Sequence, residues 1–240
     1  MIEIIPSIDI MNGSCVRLSK GDFRHVRTYD PDPLAVAKRY ENLGFRRLHL
    51  VDLDGARQGE VMNIDVLQKI ARETDLIIDF GGGVKTGETL RSVLNAGAAM
   101  VNLGSIAVSD QAMVSKWLKE YDTNKFILSA DVRDRLVAFL GWQQTSDISI
   151  TDFIKLYISK GIQMISCTDI NRDGLLEGPA IQLYKDLKGS FNDIFLIASG
   201  GVSQVREIER LEDAGADAVI IGKALYEVPG FPEQLAGRFL

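Results

Sequence analysis

The chain repeats itself, and this constrains its fold more than any other feature. Gly83 in GGGV returns 118 residues later as Gly201 in SGGV, Gly97 in NAGA as Gly215 in DAGA, and Gly104 in NLGS as Gly222 in IIGK. Ser7-Ile8-Asp9 returns as Ser129-Ala130-Asp131 at an offset of 122, and Val51-Asp52-Leu53-Asp54 as Thr168-Asp169-Ile170-Asn171 at 117. Within this repeat, short apolar runs read as strands at 2–10, 46–53, 76–80, 99–103, 125–132, 163–169, 193–199 and 217–221. Amphipathic stretches lie between them, marked by Leu34, Val36, Ala37 and Tyr40, by Leu90, Val93 and Leu94, and by Val205, Ile208 and Leu211. Asp32 before Pro33 reads as an N-cap with a first-turn proline. Gly44, Gly97, Gly161 and Gly215 follow helical patterns as C-terminal glycines do. Strict alternation of strand and helix implies a parallel sheet. Eight such units suggest an α/β chain closed as a (βα)8 TIM barrel. A doubly wound open sheet is the rival, but two similar halves of four units close naturally into a barrel. The expectation is one domain over 1–240, built of half-barrels at about 1–122 and 123–240, with no linker. The longest irregular stretches, 11–31 and 133–149, are candidate active-site loops.

Composition narrows the function. Lys plus Arg is 27 and Asp plus Glu is 33, a net charge of −6 with no basic run. No nucleic-acid partner is therefore expected, and an anionic ligand would need a local pocket. Cys15 and Cys167 lie far apart and only two histidines accompany them, so neither a disulfide framework nor a zinc site is expected. The N-terminal MIEIIPSIDI lacks a signal-peptide pattern and no run approaches the ~18 apolar residues of a membrane span. The expected location is the cytoplasm, with no membrane partner. No Gly-x-Gly-x-x-Gly, P-loop or zincin pattern occurs, so no cofactor and no metal is expected.

The active site of such a barrel forms where strands run into βα loops. Strand three ends in Gly81-Gly82-Gly83 and strand seven in Gly200-Gly201; strands four and eight end in Gly104-Ser105 and Gly222-Lys223. Glycines at strand-to-helix junctions let backbone N–H groups approach an anion. They also serve merely as tight turns. Two matched pairs on opposite sides of the mouth favour a ligand with a phosphate at each end. Asp9 and Asp131 form a second matched pair, each ending an apolar strand, diametrically opposed. That layout suits a general acid and a general base on opposite faces of one substrate. The alternative is that each accepts backbone hydrogen bonds from its loop. Thr168 could orient a substrate or a carboxylate. Asp52, Asp54 and Gly55, and Asp169, Arg172, Asp173 and Gly174, end strands two and six. Arg172 and Asp173 read first as loop-organising charges. Trp142, after Gly141, either stacks on a planar heterocycle or closes the rim. Arg17 either meets a phosphate or is solvated. His49 reads first as a core histidine, and Cys167 as a small strand residue.

The motifs IPSIDIMNGSCVRL, LHLVDLDGA, FGGGVK, NLGSIAV, SADVR, GW, CTDINRDG and SGGV, in this order from residue 4 to about residue 226, resemble the phosphoribosylformimino-aminoimidazole-carboxamide ribotide isomerases of histidine biosynthesis. The half-barrel repeat is shared with the sister cyclases of that pathway. Cys15-Val16-Arg17-Leu18 stands where the cyclases carry a lysine-bearing loop. The resemblance implies a (βα)8 barrel, a bisphosphorylated substrate and an Amadori rearrangement of an aminoaldose to an aminoketose. It implies Asp9 as base, Asp131 as acid and Thr168 as an orienting hydroxyl. Trp142 becomes a stacking partner for the imidazole carboxamide, and Arg17 and His49 become substrate contacts. The expected phosphate grips are Gly82, Gly83, Gly104, Ser105, Gly178, Gly200, Gly201, Gly222 and Lys223, in a monomer. An isomerase that also serves tryptophan biosynthesis and a silent phosphate-binding barrel are the remaining alternatives. Lys85, Asp79 and Leu175 depart from the family pattern, standing where Arg, Gln and Thr are common. A lysine keeps the charge of an arginine but loses its fork of donors.

Overall fold

The computed structural model describes residues 1–19 and 22–240; Lys20 and Gly21, within the first candidate loop, lie outside the described residues. Eight parallel strands form the barrel: β1 (Glu3–Met11), β2 (Arg47–Asp52), β3 (Ile77–Gly81), β4 (Met100–Leu103), β5 (Phe126–Arg133), β6 (Met164–Asp169), β7 (Phe195–Ser199) and β8 (Ala218–Ile221). Each pairs with its sequence neighbours, and β8 pairs back onto β1, so the sheet has closed. An open doubly wound sheet is thereby ruled out. The helices covering it are α1 (Pro33–Asn42), α2 (Ile64–Glu73), α3 (Gly87–Asn95), α4 (Gln111–Glu120), α5 (Ile150–Ile158), α6 (Ile181–Ser190), α7 (Val205–Asp213) and α8 (Phe231–Phe239). Short helices Leu53–Gln58, Ser105–Ser109 and Lys223–Glu227 start directly after β2, β4 and β8.

Local chemistry sets the element ends. The Asp32 carboxylate accepts from the backbone N–H groups of Leu34 and Ala35 at 3.0 and 3.3 Å, satisfying donors that the first helical turn leaves free. Gly44, Gly97, Gly161 and Gly215 carry φ of 97°, 109°, 96° and 90°, left-handed values that an L side chain resists.

Period-two alternation divides each strand's residues between two cores. Outward residues such as Ile4, Ile8 and Ile10 pack with Tyr40, Leu90 and Ile208 of the helices. Inward Ile5, Met100, Ile127, Ile197, Ala218 and Ile220 form a separate plug inside the barrel. Each large side chain so buried contributes about 1.5–3 kcal/mol, which makes the plug a stable floor. Above it the inward positions turn polar: Ser7, Asp9, His49, Asn102, Ser129, Asp131, Ser166 and Thr168.

The stretch 133–149 and the described residues of 11–31 are not irregular. Both are β-hairpins grown from barrel strands. Ser14–Ser19 folds back on β1 and pairs with Asp22–Asp30, while Leu136–Phe139 folds back on β5 and pairs with Gln144–Ser149. Each leaves its strand through a two-residue turn with both φ positive, Asn12 (50°) with Gly13 (75°), and Asp134 (53°) with Arg135 (67°). That turn twists with the strands it joins, and Asn-Gly is its commonest sequence.

No helix among the described residues is long and apolar enough to cross a membrane. None of their His, Cys, Asp and Glu side chains group by threes as a metal site requires.

Candidate active site

One cavity of about 280 Å³ opens at the C-terminal ends of the strands. It brings together Asp9, Arg17, His49, Gly82, Gly83, Gly104, Ser105, Asp131, Trp142, Thr168, Gly200, Gly201, Gly222 and Lys223. Gly178 is not among its lining residues. It sits behind the β7 turn, its N–H donating to the Gly201 carbonyl at 2.9 Å.

The glycine turns match across the barrel. A Cβ on Gly83 would lie 2.4 Å from the Glu60 carbonyl carbon, and one on Gly201 would lie 2.4 Å from the Gly178 oxygen. Glu60 and Gly178 are themselves 118 residues apart. Close backbone approach therefore demands glycine at both turns, whether or not an anion also binds there. At Gly222 the neighbour is different: a Cβ would lie 2.0 Å from Arg17 Nη2. Glycine there admits the Arg17 guanidinium to the end of β8.

Asp9 stands at the end of β1. Its Oδ2 accepts from Arg17 Nη1 at 2.7 Å, and Arg17 Nη2 donates to the Ser7 carbonyl at 2.9 Å. Arg17 comes from the hairpin strand Ser14–Ser19, in which Val16 pairs directly with Asp9. It is thus neither solvated nor placed on a glycine turn alone; it links Asp9 to Gly222.

Asp131 stands across the mouth on β5, with Thr168 of β6 beside it in register. Trp142, from the second hairpin, donates its indole Nε1–H to Asp131 Oδ2 at 2.8 Å. This contact belongs to neither reading of the tryptophan made from sequence. Burial pushes the Asp131 carboxyl up from its ordinary value, against the Trp142 and Thr168 hydrogen bonds and the His49 charge.

Sequence reading undervalued Asp173. It lines the same cavity, and burial, together with the charges of Asp9 and Asp131, raises its carboxyl to about 6 against the pull of Arg17 and Lys223. Arg172 is loop-organising, donating to the Gly178 carbonyl at 3.2 Å and lying 3.6 Å from Asp169. Asp52 is structural as well: buried, it accepts from the N–H groups of Gly55, Met62 and Asn63 and from the Asn63 side chain. Lys223 donates to the Gly174 carbonyl at 2.7 Å. His49 lines the cavity and also meets Asp79 beneath it. Cys15 and Cys167 are buried free thiols, and burial pushes the Cys167 thiol far up, which removes it as a nucleophile.

The family model for the histidine biosynthesis proteins matches residues 3–229. A Parabacteroides distasonis protein is 50% identical over 227 residues, 95% of each chain. One from Bacteroides thetaiotaomicron is 51% identical over 227 residues, again 95% of each. One from Cytophaga hutchinsonii is 46% identical over 236 residues, 98% of each. All three are named 1-(5-phosphoribosyl)-5-((5-phosphoribosylamino)methylideneamino) imidazole-4-carboxamide isomerase.

Proposed function

The chain belongs to the histidine biosynthesis protein family, and on that premise we propose how its residues carry out the reaction for which its relatives are named. The protein is an isomerase of histidine biosynthesis. It converts the bisphosphorylated aminoaldose ribotide to the aminoketose by an Amadori rearrangement. The observation that carries the residue assignment is the opposition of Asp9 and Asp131 in one cavity, between matched glycine turns.

Asp131, protonated at the start, gives its proton to the ring oxygen of the aminoaldose. The C1–O bond breaks, and the nitrogen lone pair forms the C1=N bond of an iminium. Asp9, ionised, takes the C2 proton. The C–H electron pair becomes the C1=C2 bond and the iminium π pair returns to nitrogen. The resulting enaminol loses its C2 hydroxyl proton and gains one at C1, which gives the ketone. The iminium nitrogen is itself the electron sink. Thr168 orients the substrate beside Asp131. The turns at Gly82, Gly83, Gly104 and Ser105 hold one phosphate, and those at Gly200, Gly201, Gly222 and Lys223 the other. Fixing both ends of a flexible ribotide can supply about 7–11 kcal/mol of the barrier through positioning. The two hairpins, carrying Arg17 and Trp142, close over the substrate and exclude water.

A second reading gives the acid's role to Asp173, because a carboxyl near 6 holds a proton in a useful fraction of molecules close to neutrality. Asp173→Asn then costs ring opening, while Asp131→Asn costs only substrate orientation.

We also read residues 1–240 as one barrel domain of two half-barrels, active as a monomer. Light scattering during turnover tests the last point. The activity itself is tested by incubating the protein with the ribotide and following the aminoketose. No product from folded protein that binds the ribotide would make the barrel a silent binder.

A further inference from the structure

Below the mouth lies a buried ion pair that the mechanism above does not use. Asp79 stands on β3 beside His49 of β2, in register, and is 1% exposed. Its Oδ1 meets His49 Nδ1 at 2.5 Å and accepts from Asn102 Nδ2 at 2.6 Å. Its Oδ2 has no hydrogen-bond partner among the described residues and lies 3.6 Å from the Arg47 guanidinium. Arg47 is shared with Glu3, at 3.2 Å. Asn102 is fixed in turn, its Oδ1 accepting from Ser129 at 3.0 Å. A buried carboxylate is costly unless an opposite charge pairs with it. His49 is the partner in direct contact. With Nδ1 taken up by Asp79, Nε2 is the ring nitrogen left for the cavity that His49 lines.

We propose that Asp79 is a positioning residue: it locks the His49 ring by Nδ1 and holds it as an imidazolium, so that a cationic Nε2–H donor meets the substrate between Asp9 and Asp131. Such a donor among the sugar hydroxyls withdraws electron density from the carbon that loses its proton. The charged groups facing His49 are Asp79 from β3, Asp9 from β1, Arg17 from the first hairpin and Asp131 from β5, with Arg47 on its own strand. Burial pushes the imidazolium down and Arg17 adds to this, but the charge and hydrogen bond of Asp79, with the charge of Asp9, outweigh them and leave it raised above 6.5. The kinetic consequence rests on the isomerase reading; the state of the ring does not, because it is measured without substrate.

The chain has two histidines, so ring nitrogen NMR on the full protein, with His25→Gln to assign the signals, follows His49 alone. In the unmodified protein His49 titrates above 6.5 with Nδ1 protonated throughout. In Asp79→Asn, nearly the same shape, its titration falls by at least about one pH unit, roughly tenfold in proton affinity. The alkaline limb of kcat/KM moves to lower pH by a similar interval, since the imidazolium is lost earlier as pH rises. A His49 that titrates at or below 6.5 in the unmodified protein overturns the proposal, with no variant needed. So does a folded Asp79→Asn protein whose His49 titration matches the parent. A shifted titration with an unmoved rate profile overturns the role in the reaction. Absence of turnover in the unmodified protein would count against the isomerase reading, and the titration would still judge the pair.

Discussion

Trp142 donates its indole N–H to the Asp131 carboxylate at 2.8 Å, so the tryptophan expected over the heterocycle is tied to the carboxylate expected to act on the ribose. The hairpin Leu136–Phe139 with Gln144–Ser149 makes this possible, because it folds back from the end of the strand that carries Asp131.

The two roles of Trp142 separate by substitution. Trp142→Ala loses the ring face and the donor; Trp142→Phe loses only the donor. Stacking is worth about 1–3 kcal/mol, so the Ala variant binds the ribotide roughly 5- to 150-fold more weakly, while the Phe variant binds within about threefold of the parent. Titration calorimetry reads both. Equal losses in the two variants would assign the effect to the hydrogen bond, and no loss in either would return Trp142 to rim packing.

Crystals grown in phosphate or sulfate test the two-ended grip. Anion density is expected at Gly83 with Gly104 and at Gly201 with Gly222, and at the second site Arg17 must yield space, since its guanidinium lies against Gly222. Density at one end only, even with a bisphosphate soaked in, contradicts the grip.

Asp173 gives a pH signature. Its carboxyl sits at about 6 in the folded protein against 3.8 ordinarily, so folding favours the protonated form. Its contribution is fully present below about 3.8 and is lost as pH rises through 6. Asp173→Asn therefore stabilises the protein above pH 6, by up to about 3 kcal/mol, and changes little near pH 4. Thermal melts across that range read the difference. A loss of stability above pH 6 that vanishes near pH 4 would show instead that Asp173 is held chiefly by favourable contacts of its ionised form.

The barrel was largely legible in the sequence. All eight strands lie within two residues of the apolar runs that mark them, because parallel strands covered by helices are apolar on both faces over much of their length. The helix-ending glycines were legible because left-handed backbone selects glycine. The hairpins were missed although Asn12-Gly13 announces one of them. Their strands, CVRLS and FRHVRTYD, carry charges where a core strand would be apolar, and that hides the alternation. The site was legible as a list of strand ends and illegible as a set of contacts. Trp142 on Asp131, Arg17 on Asp9, and Asp79 on His49 join residues 11, 8 and 30 positions apart, and the spacing of one sequence does not encode such pairings. Asp173 read as a loop charge because its raised carboxyl depends on Asp9 and Asp131 lying nearby, which only the closed barrel brings about.

Removal of the C2 proton by Asp9 is the central step, and Asp9→Asn tests it most directly. The side chain keeps its shape and loses its basicity, while the proposed phosphate grips lie on other loops. Turnover of the ribotide, measured with exchange of its C2 proton into solvent, is expected to fall about 10²–10⁴-fold, with ribotide binding within about threefold of the parent and an unchanged circular dichroism spectrum. A folded Asp9→Asn protein that binds the ribotide and turns it over at the parent rate would contradict the account.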